Sequence, residues 1–73
     1  METVTLERPP TGTRCHYRYE RTGTTCSGEC RVIAYDGDMV WFKPDCAQHV
    51  LRRVDETEFW VEVEPPPHTA PRA

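Results

Sequence analysis

Long apolar runs are missing from this 73-residue chain, and no stretch approaches the roughly 20 residues of a membrane-spanning helix. A Gly-rich phosphate loop and a dinucleotide fingerprint are missing too, and the chain has only four glycines. The strongly basic balance of a nucleic-acid-binding domain is absent, because the formal net charge is −3. The opening residues, METVTLERPP, have neither the basic region nor the apolar core of a secretory leader. These absences argue against a membrane protein, a nucleotide enzyme and a direct nucleic-acid binder, and the expected location is cytosolic. In a reducing compartment disulfides seldom persist, so the four cysteines are expected to be thiols or metal ligands. Length is the last restriction. A chain this short is one domain that buries only about 60% of its unfolded surface, which leaves little scaffold for a catalytic pocket. A non-enzymatic binding module is the expectation.

What is present is a run of short β-patterned segments. Up to Tyr35 there are five Arg against four Glu, and from Asp36 to Glu64 eight acids stand against Lys43, Arg52 and Arg53. The acidic second half favours a protein partner over a nucleic acid. "RCHYRYE" alternates Cys15, Tyr17 and Tyr19 with Arg14, His16, Arg18 and Glu20, as a half-buried strand does. "RTGTTCSG" reads as a Thr- and Gly-rich loop. "ECRVIAYDGDMVWFK" holds two β-rich runs around Asp36-Gly37, a favoured hairpin turn. Closing the hairpin on that pair places Cys30, Val32, Ala34, Met39 and Trp41 on one face and Ile33, Tyr35, Val40 and Phe42 on the other. Residues 46–54 fit either a strand or a helix, with a strand over His49–Arg53 preferred. "DETE" then predicts a tight, 3₁₀-like turn, and "FWVEVE" a last strand. The expected fold is all-β: a small SH3-like barrel of four or five short antiparallel strands. Residues 1–8 form a flexible segment or edge strand, 9–64 the barrel, and 65–73 a disordered Pro-rich tail.

Three sets of side chains are candidates for function. Arg14, His16 and Arg18 form a basic stripe, which Arg52 and Arg53 extend, suited to phosphates or to an acidic protein surface. Aromatics are numerous for the length. Tyr17, Trp41 and Phe59 are expected in the core, and Tyr35, Phe42 and Trp60 as exposed partner-binding anchors. The third set is Cys26, Cys30, Cys46 and His49, which has the count and separation of a zinc site. Its Cys-x3-Cys pair is loose, however, and Cys30 continues the face of Val32 and Ala34. Buried or surface thiols are therefore the favoured reading, with no cofactor. Cys15 and His16 supply a thiol and a base, but on a strand they point to opposite faces. No catalytic residue is assigned.

The pattern "PPTGTRCHYRY … CRVIAYDGDMVWF … HVLRRVDETEF" resembles a group of small SH3-like proteins encoded by tailed bacteriophages. They open with Pro-Pro-x-Gly-Thr-x-Cys, continue through a Val-Ile-Ala hairpin and close on a strand begun by an acidic residue and Phe. The resemblance covers Pro9 to Val63, and its motifs are structural. Cys26 and the Cys46-x-x-His49 pair are not regular features of the group. The resemblance implies a monomeric regulator in the host bacterial cytoplasm that binds host RNA polymerase. Such a protein would inhibit initiation and promote antitermination of phage transcripts. The alternatives are a nucleic-acid-binding barrel and an inhibitor of another host target, such as a defence complex.

Overall fold

The computed structural model describes residues 2–64, which form one six-stranded antiparallel sheet. Its strands are β1 (Glu2–Leu6), β2 (Arg14–Arg21), β3 (Thr24–Asp36), β4 (Met39–Pro44), β5 (Val50–Arg53) and β6 (Thr57–Val63). A single 3₁₀ turn, Val54–Glu56, separates the last two. The spatial order is β1-β6-β2-β3-β4-β5. Strands β2 to β5 form a meander, and after the 3₁₀ turn β6 returns to pair with β2. That is the connectivity of a small SH3-like barrel, with β1 added outside β6. The barrel expected over 9–64 holds five strands, β2 to β6, and residues 2–6 take the edge-strand alternative as a sixth. The edges β1 and β5 do not pair with each other, so the sheet stays open. The tail expected over 65–73 lies outside the described residues.

Two turns depart from the expected ones. The loop expected over Arg21–Gly28 shrinks to two residues, because Arg21 pairs directly with Thr24. Thr22 and Gly23 have φ of 47° and 80°, the pair of positive angles that a type I′ hairpin requires. Strand β3 therefore starts early and takes in Cys26. In the second hairpin Asp36 pairs with Met39 and Tyr35 with Val40. The turn residues are Gly37 and Asp38, one position later than expected, with Gly37 at φ 59°. A bulge at Ile33 then moves the register again, so that Ala34 faces Trp41 while Val32 faces Phe42.

The bulge decides which side chains are inside. An extra residue on one strand reverses the alternation beyond it. Cys30 and Val32 therefore share the inner face with Tyr35, Val40 and Phe42 rather than with Trp41. The buried core is Cys15, Tyr17, Cys30, Val32, Val40, Phe42 and Phe59. Phe42 is its centre: its ring lies 5.1 Å from Tyr17, 6.0 Å from Tyr19 and 5.4 Å from Phe59, edge-on to the last.

Long-range bonds hold the curl. The Tyr35 hydroxyl donates to the Pro9 carbonyl at 2.5 Å, Arg8 lies over the Tyr35 ring and donates to Gly37 O, and Gly12 N–H donates to Val32 O. The link from β1 to β2 is thereby tied onto the β3–β4 hairpin. On the other side Arg52 stacks on Tyr19 and donates to the Glu20 carbonyl, joining β5 to the end of β2.

Candidate functional site

The predicted basic stripe does lie on the outer face of β2, but its neighbours neutralise it. Arg14 makes a two-pronged bond with Asp45 at 2.8 and 3.1 Å. Arg18 is bonded to Glu58 of β6, its cross-strand partner. His16 stands between Glu62 at 3.2 Å and Glu29 at 4.0 Å, and its ring stacks on Trp60 at 5.5 Å. A sheet places cross-strand partners within about 5 Å on one face: Glu29 of β3 lies opposite His16 and Glu58 of β6 opposite Arg18, while Asp45, just beyond β4, reaches Arg14. Arg52 and Arg53 do not extend the stripe. Arg52 turns inward onto Tyr19, and Arg53 pairs with Asp55 at 3.2 Å.

The three expected anchors also change places. Phe42 is fully buried, for the reason the bulge gives. Tyr35 is half-buried with its hydroxyl committed to Pro9. Trp60 is half-buried against His16. Conversely, Trp41, expected in the core, is 39% exposed. Trp41 pairs with Leu51 of β5, itself 40% exposed, and with Ala34 of β3. These three make an apolar row across the outer face. The next row is cationic: Arg14 pairs with Arg31 and Arg31 with Lys43. Arg31 donates to Gly12 O, and Lys43 to the carbonyls of Pro44 and Ala47. Among the described residues neither of these two forms an ion pair. A solvent-facing Trp and Leu beside Arg31 and Lys43, which form no ion pair among the described residues, is the feature that single-strand alternation could not find, because both pairs depend on register.

Asp45 reports on that cationic row. The Arg14 bond holds its carboxyl below the usual 3.8, and Lys43 and Arg31 act in the same direction. A carboxylate depressed in the folded state stabilises the fold above its unfolded pKa. That contribution is lost as pH falls from about 3.8 through the lower folded value. The expected result in a carboxyl NMR titration is an Asp45 midpoint below 3.8 that returns to the ordinary range in Arg14→Gln. A normal midpoint in the native chain would show that the pair does not persist in solution.

The four candidate zinc ligands are not gathered. Cys26 pairs across to Tyr19, Cys30 is buried against Cys15, Cys46 is exposed beyond β4, and His49 precedes β5. Among the described residues no group of three or more His, Cys, Asp or Glu is placed to hold a metal ion. Cys15 and Cys30 are cross-strand partners with sulfurs 3.9 Å apart. Their mutual hydrogen bond, reinforced by burial, pushes the Cys30 thiol up, so Cys15 ionises first. A thiol reacts as its exposed thiolate. Iodoacetamide is therefore expected to label Cys46 rapidly and Cys15 and Cys30 only on unfolding, at least a hundredfold more slowly; mass mapping of a time course reads this. Equal rates at all four would show that the core is open.

No described helix is long and apolar enough to cross a membrane. No family model, curated protein or solved structure is detectably similar to the chain.

Proposed function

We propose that this chain is a non-enzymatic regulator that acts by binding another protein. The observation that carries the reading is the outer face of β3, β4 and β5. There Trp41 and Leu51 stand exposed as cross-strand partners beside the Arg31–Lys43 row. Trp is among the side chains that dominate protein–protein binding energy when a partner covers them. The nucleic-acid alternative is less favoured, because two of its three stripe residues, Arg14 and Arg18, face the carboxylates of Asp45 and Glu58.

The partner suggested by the resemblance is host bacterial RNA polymerase. The individual protein that the chain resembles is the small polymerase-binding regulator of a lytic Xanthomonas phage. On this reading the protein is phage-encoded and acts in the host cytoplasm. It lowers initiation from host promoters and carries phage transcripts through terminators. A protein of 8.5 kDa does this by occupying an interface or favouring one conformation of the enzyme. Its effect is bounded by its differential affinity for the two states. The test is transcription from a host promoter and across a terminator with increasing protein. Lower promoter yield and greater readthrough are expected, and unchanged yields at saturating protein reject the assignment to polymerase.

A further inference from the structure

Strand β5 is one edge of the sheet, and its backbone can be phased. Antiparallel pairing alternates residues whose N–H and C=O face the neighbouring strand with residues whose groups face away. Val54 N–H donates to Asp38 O at 2.8 Å, and the register runs Met39 to Arg53, Val40 to Arg52 and Trp41 to Leu51. Val50, Arg52 and Val54 therefore bond toward β4, and the N–H and C=O of Leu51 point off the sheet. The outward carbonyl of Arg53 is already taken by the Thr57 hydroxyl at 2.9 Å. Among the described residues Leu51 thus presents an unpaired donor, an unpaired acceptor and an exposed side chain at the end of the Trp41 row. Lys43 lies two residues along β4 from Trp41 on the same face, so the cationic row runs beside the Trp41 row toward the same edge.

Resting on the protein-binding reading above, we infer that the β5 edge receives an extended acidic segment of the partner protein, added as a seventh strand. Strand addition supplies main-chain bonds for affinity and alternate side chains for specificity. The incoming segment pairs its backbone with Leu51 and lays an apolar side chain beside Leu51 and Trp41. Two residues along, on the same face, it carries a carboxylate at the end of the Lys43–Arg31 row. Acidic rather than basic chemistry follows from charge: Lys43 and Arg31 have only carbonyl partners among the described residues, and Asp45 is spent on Arg14. An exposed edge is also a hazard for self-pairing, which makes a second copy of this chain the principal competing occupant.

The test uses the full chain, labelled with nitrogen-15, and a synthetic eight-residue peptide alternating Val and Glu at about 1 mM, an excess suited to weak binding. The Leu51 amide is expected to exchange rapidly in the free protein and at least tenfold more slowly with the peptide, while the Trp41 indole resonance shifts. A Val–Lys peptide is expected to bind at least tenfold more weakly. Leu51→Pro removes the outward N–H at a place where edge strands tolerate proline, and with it the Leu side chain that ends the Trp41 row. It should keep a native spectrum and lose the indole shift, and Lys43→Glu should weaken the acidic peptide tenfold with no change in fold. Several results would overturn the inference: a Leu51 amide unmoved by the peptide, equal binding of the Lys peptide, or the same shifts produced by a single-stranded oligonucleotide in the peptide's place. A dimer that forms with concentration and protects Leu51 on its own would assign the edge to a second copy and equally overturn it. Native-like inhibition of transcription by Leu51→Pro would sink the edge site while leaving the regulator standing. Unchanged transcription with the native chain sinks the polymerase assignment and leaves peptide docking intact.

Discussion

Phe42→Ala is expected to cost about 3–5 kcal/mol, the range for removing a fully buried aromatic side chain. Phe42 has no exposed surface and touches the rings of Tyr17, Tyr19 and Phe59, so its loss opens a cavity that three other aromatics line. Relaxation has little room, since those rings are held on β2 and β6 by backbone pairing. A domain of this size has a total stability of about 3–9 kcal/mol at ordinary values per residue. The variant should therefore lose about half or more of its stability, read as a large fall in the urea midpoint. A midpoint within error of the native chain would mean that Phe42 faces solvent, as alternation from the Asp36-Gly37 turn predicts, and that the bulge at Ile33 is absent.

Trp41→Ala should behave in the opposite way. Its side chain is 39% exposed on the outer face, and surface substitutions of this kind usually shift stability little. Its contribution is to binding. A Trp covered by a partner and ringed by other contacts is worth about 2 kcal/mol or more on truncation, roughly thirtyfold in affinity. The expected outcome is a native-like urea curve together with at least a thirtyfold loss of partner binding, measured by titrating polymerase and by transcription inhibition. Retained affinity in Trp41→Ala would remove the face from the proposal. The two substitutions are one residue apart and form a matched pair: Phe42→Ala breaks the fold, and Trp41→Ala breaks only the contact.

The same neighbours show how far the sequence could be read. The strand over Arg14–Glu20, the hairpin around Gly37, the tight turn after Arg53 and the final strand were all legible, because each rests on local alternation or turn chemistry. Thr22-Gly23 was misread as part of a loop. A Thr in the left-handed region is a poor local choice, and only the pairing of Arg21 with Thr24 compels it. The basic stripe was correctly placed on one face of β2, but its neutralisation was not. Asp45, Glu58 and Glu62 lie 31 or more residues away in the chain from the Arg14, Arg18 and His16 they meet, and no local pattern brings them there. The candidate zinc ligands are not brought together for a related reason. Spacing along the chain suggested two pairs, whereas β3 starts at Thr24 and directs Cys30 to Cys15 instead.

By itself the sequence determined the kind of object this is: a short all-β chain of alternating strands, acidic in its second half, with more aromatics than its core can hold. Period-two patterning and turn residues are local, so they survive without knowledge of partners. Only the tertiary structure decided which aromatics face out. One extra residue at Ile33 exchanges the roles of Trp41 and Phe42. A strand's two faces are distinguished only by the strand it pairs with, and a register is a property of two segments rather than one.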